Sequence, residues 1–480
     1  MRNNNGKKRR KTVYVLLLAV AAAVLLGGCT LPWKKESRGV PEKIPETLPY
    51  EEEAPELVIE QPEKEEIPEP ETEPEPEIEP EPVSVNLVFA GDIAFDPRYA
   101  NMNSLISRGG VLSECIDQNL IDRMNGADIC VINNEFPYSK RGTPTPGKKF
   151  TFRADPESVK YMQELGCDLA GLANNHAYDY GPDALLDTFD TLSGAGIPYM
   201  GAGHNLEEAA APYYISVNGV TIGFACATQI ERLGNPDTKE ATADSPGVLR
   251  TLDPSRFLET IREAEENSDF TVVFVHWGTE SVNTAEASQR ELAAAYADAG
   301  ADLIIGAHPH VLQGFEYVNS VPVMYSLGNF WFNSKTLDNC VVEAVVEKDG
   351  EETGLKELRF VPCLQKGCFT RMLTPGDGVY EKVLKKERSY SFDVTIDDEG
   401  VVTNGNTGDY PEAEPEETAP EPAAPPVQAI PADGLPGQTL PEGALPDQTV
   451  PAVPLPDQTL PEGVLPVQEG VPAENIVDSP

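Results

Sequence analysis

Positive charge is scarce in this chain: 36 Lys and Arg stand against 79 Asp and Glu over 480 residues, a formal net charge of −43. A surface so short of cations cannot neutralise runs of phosphate, which excludes nucleic acid as a partner. Cysteine is sparse too, with 8 in the chain. No pair has the CxxC spacing of a structural zinc site, and once Cys29 is set aside an odd number remains, against a disulfide framework. Cys130 in ADICVIN and Cys226 in GFACAT sit in apolar, strand-like runs, where a thiol packs as a small hydrophobe. Cys363 and Cys368 are close enough in sequence to pair, on spacing alone. The apolar run from Thr12 to Leu26 is too short to span a bilayer comfortably. No GxxxxGK[ST] motif is present, so there is no P-loop for ATP. Only five histidines occur.

The two ends of the chain have compositions of their own. Residues 1–29 open with the basic MRNNNGKKRRK, continue into the short apolar run and end in Leu26-Gly27-Gly28-Cys29. Small residues before a cysteine resemble the lipobox at which bacterial lipoproteins are cleaved and acylated, so the sequence predicts a signal peptide with Cys29 as the lipidated mature N-terminus. An uncleaved signal anchor is the alternative. Either way the body is expected on the extracytoplasmic face of a bacterial cytoplasmic membrane. Residues 30–82 alternate Glu and Pro with few apolar side chains, the composition of an extended stalk that cannot bury a core. Residues 409–480 contain no Lys or Arg and include the imperfect repeat LPGQTLPEGALPDQT and LPDQTLPEGVLPVQE. Pro every few residues marks this as low-complexity tail, and both acidic segments would be repelled by anionic surface polymer.

Residues 83–408 read as one folded α/β domain, because short apolar runs alternate with amphipathic helical stretches. VSVNLVFAGD is a buried strand. Asp155-Pro156 supplies an N-cap and a first-turn proline to a helix with Val159, Met162 and Leu165 on one face, ended by Gly166. DLAGLA is a second strand, and Pro182 opens a helix with Leu185, Leu186, Phe189 and Leu192 facing inward. Tyr213 to Ala227 predicts a hairpin closed by Asn218-Gly219. FTVVFV runs into His276, a helix covers Gln289 to Ala299, and DLIIGA runs into His308-Pro309-His310. Strands near Gly314–Val318 and Val321–Ser326 lead to Asn329 and Phe330.

Polar groups therefore recur at strand ends, where loops of an α/β sheet converge on ligands. Asp92, His176, His276 and the His308/His310 pair are delivered from four such ends. Imidazole, carboxylate and carboxamide together suit Mn, Fe, Zn or Mg rather than a soft thiolate-bound ion. Such an ion polarises a phosphoryl oxygen and activates water, which points to phosphoester hydrolysis. His204, in GAGHNLEEA, reads as a turn residue before a helix, and Trp277 and Phe330 as packing.

The blocks FAGDIAFD, INNEFP, FTFRADP, LANNHAYDYG, GAGHNLEEA, VHWGTE, GAHPHV and YSLGNFWF, in this order, resemble the CapA/PgsA family of capsule and poly-γ-glutamate biosynthesis proteins. That family is similar to the calcineurin-like metallophosphoesterases, so the resemblance implies a four-layer α-β-β-α sandwich with two mixed sheets. It further implies that Asp92 is a metal ligand, that Glu135 or the adjoining Asn133 takes the place of the bridging acid, that Asn175 is the carboxamide ligand, and that His276, His308 and His310 complete a centre for one or two divalent ions. His176 is implied as the acid that protonates a leaving oxygen, with Arg153 and Glu280 orienting substrate or ligands. Two departures bear on metal number. Ala94 follows Asp92-Ile93 where the phosphoesterases carry a second ligand, His, and Asn133-Asn134-Glu135 replaces their Gly-Asp-x-x-Asp block, which predicts one metal or a weakly held second.

Three functions follow from these residues. The first is support of capsule or poly-γ-glutamate synthesis or export, with polyglutamate synthase and export subunits in the membrane as partners. The second is a free-standing surface metallohydrolase acting on a phosphoester or an amide. The third is a scaffold that kept the fold and lost the chemistry.

Overall fold

The computed structural model describes residues 81–230 and 239–405. The predicted signal peptide, Cys29, the stalk and the tail lie outside these residues.

Two mixed β-sheets form the body. The first has eight strands, in the order Phe369–Met372, Glu352–Lys366, Leu337–Asp349, Val83–Ile93, Ile129–Asn134, Leu169–Gly171 and Tyr199–Met200, with Asn329–Trp331 joined to the end of Val83–Ile93. From Val83–Ile93 to Tyr199–Met200 the strands are parallel, and the Leu337–Asp349 and Glu352–Lys366 ribbon is antiparallel. The second sheet has six strands, in the order Leu312–Val318, Val321–Leu327, Leu303–Ala307, Phe270–His276, Val220–Thr228 and Tyr213–Val217. Its four central strands are parallel, and each edge strand is antiparallel to its neighbour.

Side-chain alternation fixes the layers. Along the second sheet, Phe224, Cys226, Val272, Phe274, Leu303, Ile305 and Met324 enter the core shared with the first sheet. Their neighbours Ala225, Ala227, Val273, Val275, Ile304, Val323 and Tyr325 face a separate core built with Phe257, Ile261, Ala293, Tyr296 and Ala297. Those last five belong to the helices Ser255–Asn267 and Ala287–Ala299, so period-2 alternation in the strands buries one face on each layer. The sheets touch directly: a Cβ on Gly171 would lie 3.1 Å from the Phe274 ring. Helices Gln118–Asn125, Val159–Glu164 and Pro182–Gly194 contribute Leu120, Met124, Met162, Leu185, Phe189 and Leu192 to the core of the first sheet.

The predicted elements form for the expected local reasons. Asp155 accepts from the Glu157 N–H and Pro156 opens a short 3-10 turn that runs into Val159–Glu164, with Gly166 beyond it at φ 71°. Asn218 and Gly219 both have positive φ, as the tight hairpin turn requires. Leu186 is only half-buried, unlike Leu185, Phe189 and Leu192. All seven described cysteines are buried, and no disulfide joins Cys363 to Cys368. Burial pushes the Cys363 thiol up to about 12.

Candidate metal centre

The parallel strands of both sheets end at one place. In the first sheet Asp92 pairs with Asn133 on one side and Asn329 on the other, and in the second His276 pairs with Ala307, the residue before His308. Close backbone approach is built in here. A Cβ on Gly91 would lie 2.0 Å from the Gly328 carbonyl oxygen, so only glycine lets these chains meet beside Asp92. His308 and His310 flank Pro309 with φ of 99° and 58°, left-handed values rare for non-glycine residues, and the Ser281 N–H donates to the Pro309 carbonyl at 2.8 Å. The strained loop turns both imidazoles into the site.

The polar side chains gathered here are almost wholly buried: Asp92, Asn133, Glu135, Asn175, His176, His276, His308 and His310 are each 5 % exposed or less. Around His276 Nε2 lie Asn175 Oδ1 at 2.8 Å, His308 Nδ1 at 3.1 Å and Glu135 Oε1 at 3.4 Å. A single N–H at His276 Nε2 could not serve all three of these neighbours. Glu135, His276 and His308 form one triad with ligand atoms within 4.8 Å of one another, and Asp92, Glu135 and His310 form a second. Glu135 belongs to both. Neither of its carboxylate oxygens has a hydrogen-bond partner, and His310 Nε2 has none either. Buried polar atoms without partners are costly, and a divalent cation, displacing any proton they carry, is a group that satisfies them. The donor set fits the predicted ion.

The charge states agree. Burial pulls the His276 imidazole down to about 3, and burial also holds His308 and His176 well below the usual histidine range, leaving three neutral rings of the kind that ligate metals. Burial, then the neighbouring Asp92, pushes Glu135 well above the usual carboxylate range. Asp92 and His310 form a charged pair. Burial opposes both charges and is the largest single influence, but the 2.9 Å bond between His310 Nδ1 and Asp92 Oδ2, the attraction of the two charges and the bonds from Asn133 and Asn329 together outweigh it, holding Asp92 low and His310 high.

The residues named from the sequence divide by position. Asn133 turns its amide nitrogen to Asp92 Oδ1 at 2.7 Å while its oxygen accepts from Asn174, so Glu135 is the residue of that block standing between the two triads. His176 directs Nδ1 at Asp179 Oδ2, 2.6 Å away, and Nε2 towards Glu135, 4.0 Å away. Glu280 is exposed on the loop after His276 and acts on Glu135 and His310 through its charge. Arg153 stands outside the cluster, stacked 4.2 Å over the Tyr180 ring with its guanidinium donating to the Arg141 carbonyl. His204 bonds Glu208 at the surface, and Trp277 and Phe330 are fully buried packing.

Three participants escaped the sequence reading. Asp179 orients His176 and accepts from the buried Lys148 at 2.6 Å and from the Phe152 N–H at 2.6 Å. Burial lifts its carboxyl to about 6 even against Lys148. Asn329 accepts from His310 Nδ1 at 2.8 Å, fixing that ring from the side opposite Glu135. The signal for Asp179 was its place three residues after His176 in NNHAYDYG. Asn329 was visible as a polar strand end, and nothing in the loop around Lys148 announced an inward lysine.

The family described as "Bacterial capsule synthesis protein PGA_cap" matches residues 86–334, more than half of the chain and every residue of the centre. The chain belongs to this family. It is similar to "PGA biosynthesis protein CapA" of Bacillus subtilis (strain 168), 38% identical over 207 residues, 42% of this chain and 53% of that protein. It is also similar to "Capsule biosynthesis protein CapA" of Bacillus anthracis, 32% identical over 279 residues, 55% of this chain and 65% of that protein. The chain thus spans roughly half to two thirds of these PGA_cap relatives. Among solved structures, the calcineurin-like phosphoesterase YfkN of Bacillus subtilis aligns with 64% of this chain and 98% of its own, at 16% identity and a TM-score of 0.35.

Proposed function

We propose that this PGA_cap protein is an extracytoplasmic, lipid-anchored accessory of capsule or poly-γ-glutamate synthesis or export, working beside membrane-bound synthase subunits, and that its centre is a metal-dependent hydrolase of a phosphoester or an amide. The observation that carries the hydrolase reading is Glu135, buried without a hydrogen bond between two groups of ligating side chains. Asn175, Glu135, His276 and His308 would hold one ion, and Asp92, Glu135 and His310 a weaker second. The chemistry such an ion supplies when bound is Lewis-acid polarisation of a substrate oxygen and of water.

The chain's own residues account for the rest. Asp179 holds the Nδ1 side of His176, so Nε2 is the atom at which a proton is held for, or taken from, the reacting group. Phe152 packs against the His176 ring at 4.2 Å and fixes its plane. Phe332 does the same for His310 at 4.7 Å. Each phenyl ring thereby shields part of its histidine from water. The names of the relatives support the capsule assignment, and the Cys29 lipobox supports the anchor.

The test is hydrolysis by the full chain of bis(p-nitrophenyl) phosphate and of poly-γ-glutamate, with and without Mn²⁺, beside His176→Asn. Turnover of either substrate that needs added metal and falls at least 100-fold in His176→Asn supports the proposal. No turnover of either under metal saturation contradicts the hydrolase and leaves a surface scaffold.

A further inference from the structure

The helix Tyr380–Tyr390 carries a stripe of cations on a chain that is otherwise acidic. Lys382, Lys385, Lys386 and Ser389 recur at the spacing of one helix face and are exposed. With Asp338 and Val383 they line an open groove of about 390 Å³. Lys386 pairs with Asp338, while Lys382 and Lys385 make no ion pair among the described residues.

The described chain also ends beside this helix. Arg388 donates to the Ile396 carbonyl and pairs with Asp398, tying the helix to the hairpin Val394–Ile396 and Val402–Asn404. The Gly405 N–H then donates to the Asp393 carbonyl at 2.9 Å, just beyond the end of the helix. Residues from 406 onward therefore follow a backbone position close to the C-terminal end of the lysine-bearing helix. They contain no Lys or Arg and soon reach Glu412, Glu414, Glu416, Glu417 and Glu421, interspersed with Pro411, Pro415 and Pro420.

We propose that this acidic segment, Glu412 to Glu421, docks along the Lys382, Lys385 and Lys386 face of its own chain. The reach is adequate: an extended chain at about 3.1 Å per residue covers roughly 20 Å between Gly405 and Glu412. The helix needs only about 12 Å, at 1.5 Å per residue, to run from Tyr390 back to Lys382. Tethering supplies an effective concentration on the order of millimolar, so individually weak surface pairs act together. The inference stands apart from the metal centre and from any hydrolytic activity.

Carbodiimide coupling of the full chain, followed by peptide mass mapping, tests it, with the Lys386–Asp338 link as internal control. Amide links from Lys382 or Lys385 to Glu412, Glu414, Glu416, Glu417 or Glu421 are expected. They should persist on tenfold dilution and fall at least fivefold between 50 and 500 mM NaCl. In the full chain carrying Glu412→Gln, Glu414→Gln, Glu416→Gln and Glu417→Gln, acylation of Lys382 and Lys385 should quicken at least threefold. The substitutions lie beyond the last strand, so folding does not cloud the result. Links that disappear on dilution would assign the groove to a second copy. Lysines protected only by added poly-γ-glutamate would assign it to a polymer in trans, and equal acylation in both chains would leave it unoccupied. Each of these three results overturns the proposal.

Discussion

Replacing Glu135 by Gln should change stability in opposite directions with and without metal. Glu135 is completely buried, neither oxygen is hydrogen-bonded, and burial followed by Asp92 drives its carboxyl well above the usual range. A buried polar group left unsatisfied costs about 1–3 kcal/mol, and an isosteric amide that can donate to Asp92 or to a neutral imidazole removes most of that cost. At about 2 °C per kcal/mol for a domain of this size, Glu135→Gln should melt roughly 2–6 °C above the parent in EDTA. The pH dependence has a defined sign. An acid whose pKa is raised by folding stabilises the protein below its unfolded pKa and loses that contribution as pH rises through the folded value, so the advantage of the variant grows with pH. Metal reverses the order. An ion present at about 100 times its Kd adds about 2.7 kcal/mol to the parent, and the variant loses the ligand common to both triads. Thermal unfolding at pH 7.5 in EDTA and in Mn²⁺ reads both arms. A variant that melts lower in EDTA, or that gains as much from Mn²⁺ as the parent, would refute the reasoning.

Asp179→Asn should lower kcat at least 100-fold with metal content unchanged, measured on the same preparation. It should also cost about 3 kcal/mol in urea unfolding, because Lys148 loses its buried counter-ion. The parent should show an acid limb near pH 6, where Asp179 takes up a proton and His176 loses its anionic acceptor, and that limb should vanish in the variant. Asn329→Ala frees one side of the His310 ring and should weaken metal binding 10–100-fold by competition with a chromogenic chelator. Gly91→Ala forces a Cβ into the Gly328 carbonyl and should destabilise the domain by about 1–3 kcal/mol while displacing Asp92, read by urea unfolding and metal content together.

The parallel cores of both sheets were legible because LVFA, LAGLA, VVFV and LIIGA are uninterrupted apolar runs that stop at or just before polar residues, the mark of strands buried on both faces. The gathering of Asp92, His276, His308 and His310 followed from those stops. The Leu337–Asp349 and Glu352–Lys366 ribbon was not legible. Its outer half alternates Glu, Lys and Gly with apolar residues on a half-exposed face, which is hard to tell from solvated loop. The helix Tyr380–Tyr390 was hidden for a related reason, since four of its eleven residues are Lys or Arg and its buried face is only Tyr380, Val383, Leu384 and Glu387. Lys148 was missed because its partners, Asp179 and the Asn175 carbonyl, come from another loop. Side-chain pairing across loops leaves no periodicity to read.

Metal content of the purified full chain, determined by plasma mass spectrometry beside His308→Ala/His310→Ala, tests the central claim most directly. The arrangement around Glu135 predicts at least one equivalent of a transition metal in the parent, after equilibration with Mn²⁺ or Zn²⁺ and removal of excess, and less than a tenth as much in the variant. A folded parent that retains no metal, or a variant that retains as much as the parent, would contradict it.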